Sequence, residues 1–89
     1  MAHLIRAVIE NTSVTEIIDA GQSIYPRLED AISALKWLLA RVPECGEIID
    51  DANWLYVQDG DKDVNVPSLV VIYTFDHREV VLKHIQLRP

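Results

Sequence analysis

Three side chains carry most of the chemistry that this sequence offers, and strand parity is what groups them. In the run Trp54-Leu55-Tyr56-Val57-Gln58, alternate positions put Trp54, Tyr56 and Gln58 on one face of an extended segment. In the C-terminal run the same alternation puts His84, Gln86 and Arg88 on one face. If the two faces coincide, stacking rings stand beside a cation and a titratable imidazole. Such a set could hold unstacked RNA bases and assist proton transfer. Tyr56, His84 and Arg88 are therefore the candidate catalytic residues. The competing reading has Trp54 and Tyr56 covering the edge of the core, with the polar residues as ordinary surface.

Other reactive residue types lead nowhere comparable. Asp59-Gly60-Asp61-Lys62-Asp63 resembles the start of a calcium-binding loop, but the sixth position, which needs Gly, is Val64. The twelfth, which needs a bidentate Glu, is Val70, so a solvated turn is expected. Cys45 stands between Glu44 and Gly46, where acidic neighbours disfavour the thiolate that a nucleophile needs. His3, His77 and His84 show no helical zinc-ligand spacing. With three glycines in all, the Gly-rich phosphate cradles and the nucleophile elbow are absent. No cofactor or metal is expected.

The elements that must position these residues follow from periodicity. His3 to Ile9 reads as a strand, with helix as the alternative, and ends in the polar Asn11-Thr12-Ser13. Ser13-Val14-Thr15-Glu16 fits a capping box, so a helix from about Val14 should bury Val14, Ile17 and Ile18. A second helix is expected from Pro26 to about Arg41. Its stripe runs through Leu28, Ala31, Ile32, Leu35, Leu38, Leu39 and Val42, with Glu29 and Asp30 near its start and Arg41 near its end, as the helix dipole favours. Pro43 and Gly46 stop it. Trp54 to Val57 reads as a short strand and Ser68 to Phe75 as a central one. Asp76-His77-Arg78 then turns tightly into a last strand, Glu79 to Leu87, forming an antiparallel hairpin.

Length and charge narrow the function. Eighty-nine residues can close one hydrophobic core, so residues 1–89 are read as a single domain. Hydrophobic residues at 49% with 25% charged residues place the chain among folding sequences. The formal net charge of −6 argues against non-specific adhesion to phosphate backbones or anionic lipid. The acid is local: residues 43–66 hold seven acids against Lys62, net −6, whereas residues 67–89 are net +1. No apolar run approaches the roughly 20 residues of a membrane span, and Met1 to Arg6 lacks the apolar stretch of a signal peptide. A single Cys precludes an internal disulfide, so a cytoplasmic location is expected.

From Tyr25 to Arg88 the chain resembles the RelE/ParE toxin superfamily of bacterial toxin–antitoxin modules. The resemblance is carried by the helix Ala31 to Ala40 closed by Val42-Pro43-Glu44-Cys45-Gly46, by Pro67 to Asp76, whose strand ends near Tyr73, and by Val80 to Ile85. It implies an α+β fold, a small antiparallel sheet packed against two N-terminal helices. It also implies a toxin-like component held by an antitoxin. RelE-like members cleave mRNA on the ribosome, and ParE-like members inhibit DNA gyrase. The ribonucleases place an Arg three residues before the strand Tyr, where this chain has Val70, and Arg88 matches the basic residues after the last strand.

Two functions follow. One is a RelE-like mRNA interferase using Tyr56, His84 and Arg88. The other is a catalytically silent protein of the same fold, an acidic protein-binding module whose segment 43–66 faces a basic partner. A small-molecule site is a third class, although so short a chain can barely enclose a pocket. The expected partner is an antitoxin or another protein. RNA or the ribosome is the alternative that the net charge disfavours, no membrane is expected, and oligomerisation is left open.

Overall fold

The computed structural model describes residues 5–89. It contains β1 (Ala7–Glu10), α1 (Thr12–Gln22), α2 (Leu28–Arg41), β2 (Glu47–Ile48), β3 (Trp54–Gln58), β4 (Ser68–Phe75) and β5 (Glu79–Arg88), with 3-10 turns at Pro43–Cys45 and Lys62–Val64. The five strands form one sheet in the order β1-β5-β4-β3-β2. The fold is thus a small α+β domain with two helices. The sheet is mixed rather than wholly antiparallel, because β1 pairs parallel with β5. The connection from β1 to β5 runs through both helices and through β2 to β4, well beyond the minimum length that a parallel pair requires. Residues 3 and 4 of the expected first strand lie outside the described residues.

Alternation along the strands sends one side into the core. Leu69, Val71 and Tyr73 of β4 and Val80, Leu82 and Ile85 of β5 are 0–1% exposed. They meet Val14 and Ile18 of α1 and Leu28, Ile32, Leu35 and Leu39 of α2, so both helices cover the same face. Of the stripe expected on α2, Leu28, Ala31, Ile32, Leu35 and Leu39 are buried, whereas Leu38 is half-buried and Val42, at the end of the stripe, is 44% exposed. Trp37 is exposed too, with the Arg41 guanidinium 4.2 Å above its ring.

The start of α1 differs from the expected capping box. Asn11, not Ser13, is the N-cap, and its Oδ1 accepts from the Val14 amide at 3.0 Å. Asn11 also donates twice to β5: its backbone N–H to the Leu82 carbonyl at 3.2 Å and its Nδ2 to the Lys83 carbonyl at 2.7 Å. One residue therefore ends β1, starts α1 and ties both to β5. Beside it, Glu10 forms an ion pair with Lys36 of α2 and accepts from Thr15 Oγ1 at 2.8 Å. Burial pushes the Glu10 carboxyl up, but the Lys36 and Thr15 contacts outweigh it and hold the group below its ordinary value.

At that same point β5 carries an irregularity. Ile72 pairs with His84 and the next residue, Tyr73, with Leu82, so Lys83 is an extra residue and Lys83 and His84 are both exposed. Asn11→Ala removes the cap and the Lys83 contact together, and should cost about 1–2 kcal/mol in urea unfolding. A loss under about 0.5 kcal/mol, the size of an ordinary surface change, would contradict this joint role.

Candidate functional site

The three sequence-derived candidates do not converge. Tyr56 pairs with Val71 and packs, half-buried, against the core on the helix side of the sheet. Gln58 shares that side and donates from Nε2 to the Ala31 carbonyl of α2 at 3.0 Å. His84 pairs with Ile72 and Arg88 with Ser68, on the face that no helix of the described residues covers. The condition that the two faces coincide therefore fails, with the sheet itself standing between Tyr56 and the other two. His84 and Arg88 are four residues apart on one strand, about 13 Å at a rise of ~3.3 Å per residue. General acid–base partners must each come within hydrogen-bond reach of one reacting group, and this pair does not share one. Arg88 is engaged with Gln86 Oε1, with both Nε and Nη2 at 3.2 Å.

Tyr73, the strand tyrosine of the family resemblance, is consumed by the fold. It is fully buried, and its hydroxyl donates to the Pro43 carbonyl at 2.6 Å, pinning the 3-10 turn after α2. Burial is the main cause that pushes its pKa up to about 12, with the charges of Cys45 and Glu44 adding to it. Gly46 has room for no side chain there, since a Cβ would lie 2.6 Å from the Leu55 carbonyl oxygen and against the Tyr73 hydroxyl. Partial burial, followed by the Glu44 carboxylate, raises the Cys45 thiol above its ordinary value, so its surroundings disfavour the thiolate.

The acidic segment is likewise put to structural use. Asp50 Oδ1 accepts from the Ala52 and Asn53 amides at 2.8 and 2.9 Å, and Asn53 Nδ2 reaches both of its oxygens. These bonds, the Asn53 side chain first, hold the Asp50 carboxyl below its ordinary value. Asn53 Oδ1 in turn accepts from Lys83 Nζ at 2.7 Å, linking this loop to the β5 irregularity. Asp61 caps the turn Lys62–Val64, and Asn65 closes it at φ 56°, a left-handed conformation that Asn tolerates. No cluster of three His, Cys, Asp or Glu side chains is placed to hold a metal among the described residues, and no helix there is long and apolar enough to cross a membrane.

Sequence reasoning missed a groove of about 570 Å³ between α1 and the second half of β5. Ile17, Ala20, Gly21, Ile24 and Tyr25 form its wall, and His84 to Leu87 its floor. It exists because β1 pairs only with Glu79 to Leu82 and then stops at Asn11. The uncovered sheet face beside it is aliphatic along Leu55, Val57, Val70 and Ile72, with Val57 49% exposed. The one signal in the sequence was the short length of the first apolar run against the ten residues of β5.

Comparison with family models, with curated proteins and with solved structures returns no match.

The Tyr73 hydroxyl gives a directional pH test. Its folded pKa lies above the ordinary 10.0, so its contribution to stability is complete below pH 10 and is lost as pH rises from there toward about 12. Unfolding experiments should show wild type losing its advantage over Tyr73→Phe across that window. A difference that stays constant would show that the hydroxyl is not locked in the fold.

Proposed function

We propose that this chain is a catalytically silent protein of the RelE/ParE-like plan that acts by holding another protein. The observation that carries this reading is the separation of Tyr56 from His84 and Arg88 by the sheet. A ribonuclease of the kind the resemblance implies needs its acid, base and cation on one phosphodiester. Here Tyr73 and Tyr56 are packed with the core, Arg88 lies against Gln86, and Val70 stands on the uncovered face where that family has an Arg. The two helices on one face of a small sheet accord with the resemblance, as does the order of helix, Pro43 to Gly46 stop, apolar strand, tight turn and last strand. Protein binding is supported by the surface left over, an aliphatic strip on the uncovered face beside an apolar groove. An antitoxin-like protein is the partner class that the resemblance implies.

Induced expression in a bacterial host, with growth and a reporter message followed together, tests the reading. Intact message is expected from wild type and equally from His84→Ala, Arg88→Ala and Tyr56→Phe. Message that is cut by wild type and spared by His84→Ala or Arg88→Ala would establish the interferase instead.

A further inference from the structure

We propose that the groove between α1 and β5 takes an extended segment of a partner protein as an added strand along Ile85 to Leu87. The segment would be apolar at one set of alternate positions and acidic at the other. The inference deepens the protein-binding reading above and rests on it.

Ladder parity supplies the first argument. The Ala7 amide donates to Arg78 and the Asn11 amide to Leu82, so even-numbered residues of β5 turn their backbone groups toward β1 in its first half. On the other side of the strand, the Asp76 amide donates to Glu79, which sets odd-numbered residues of that half toward β4. The extra residue Lys83 reverses this parity. Beyond it, His84, Gln86 and Arg88 pair with Ile72, Val70 and Ser68, while the N–H and C=O of Ile85 and Leu87 turn outward, where β1 has already ended. Asn11 Nδ2 takes the Lys83 carbonyl, but no hydrogen-bond partner meets Ile85 or Leu87 on that side among the described residues. Leu87 is part-exposed and its outward groups are reachable from the groove, whereas Ile85, which also lines the groove, is 1% exposed, so the incoming strand pairs first at Leu87 and reaches Ile85 only by parting the contacts over it. An added strand supplies these missing bonds, as in strand-addition recognition generally.

The groove's walls say what kind of strand. On the helix side, alternate side chains of the incoming segment would meet Ile17, Ala20 and Ile24, the last 64% exposed in the free protein. On the uncovered side, the intervening side chains would stand over His84 and Arg88, whose guanidinium meets only the neutral Gln86 oxygen among the described residues. Carboxylates at those positions give Arg88 a bidentate partner. A second copy is a poor occupant, since pairing β5 with itself would bring His84 and Arg88 of both copies onto one surface. Nucleic acid fits less well, because alternating donors and acceptors at strand spacing match a peptide backbone.

The test titrates the full chain with a short peptide alternating Glu and Val, with its Lys-for-Glu counterpart, and with the Glu peptide N-methylated at alternate amides. Amide exchange of the protein is followed at saturation. The expected result is tighter binding of the Glu peptide than of the other two by about tenfold or more, with new protection at Ile85 and Leu87. Leu87→Pro removes an outward N–H that the inner ladder does not use, and should weaken binding about tenfold. Ile24→Glu alters an exposed side chain of the wall and should do the same without affecting the fold. Equal binding of the Lys or the N-methylated peptide, unchanged exchange at Ile85 and Leu87, or no binding would each overturn the proposal. Binding of the Glu peptide that Val57→Glu on the uncovered face weakens and Ile24→Glu does not would overturn the groove while leaving protein binding intact, whereas cut message in the expression experiment would remove the protein-binding reading itself.

Discussion

Asn11 is where three decisions of this fold meet. Its side-chain oxygen caps α1, its side-chain nitrogen holds the Lys83 carbonyl and its amide holds the Leu82 carbonyl. The cap obliges the chain to leave the sheet, so β1 cannot accompany β5 beyond its first four pairs. The two carbonyl contacts fall at the point where β5 gains its extra residue. Strand end, helix start and strand irregularity are therefore one local arrangement, and the groove is what it leaves behind.

The irregularity also decides what chemistry is available. Without an extra residue, the even-numbered positions of β5 would continue on the side of Val80 and Leu82, which is the helix side that Tyr56 shares. His84, Gln86 and Arg88 would then have stood on the face of Tyr56, with Ile85 turned to water. Lys83 shifts the parity, Ile85 takes the buried place and the polar three move to the uncovered face. A one-residue change of register thus separates the groups a nuclease would have to combine, and this separation is the ground on which the protein-binding proposal rests.

Much of the architecture was legible because it is local. The stripe of α2 follows from a 3.6-residue period, the bounds of β4 from an unbroken apolar run, and the hairpin from Asp76, whose Oδ1 accepts the Arg78 and Glu79 amides. What was not legible depends on distant partners. Two-residue β2 carries no pattern, and the parallel direction of β1 against β5 depends on the whole path between them, through two helices and three strands. Faces within a strand could be read, but whether Tyr56 and His84 share a face depends on an irregularity whose stabilising contact comes from Asn11, 72 residues from Lys83. Tyr56, His84 and Arg88 accordingly lie on strands β3 and β5 but on opposite faces of the sheet, and the groove leaves only the short first apolar run as its signal in the sequence.

The account rests most directly on an open edge along the second half of β5, and amide exchange of the free chain reads that edge residue by residue. His84 and Gln86, bonded to β4, should be protected, while Ile85 and Leu87, whose amides face the groove, should exchange markedly faster despite the burial of Ile85. An alternating pattern across these four residues is the predicted result. Uniform protection would mean that the edge is already paired, and would contradict both the open groove and the binding mode built on it.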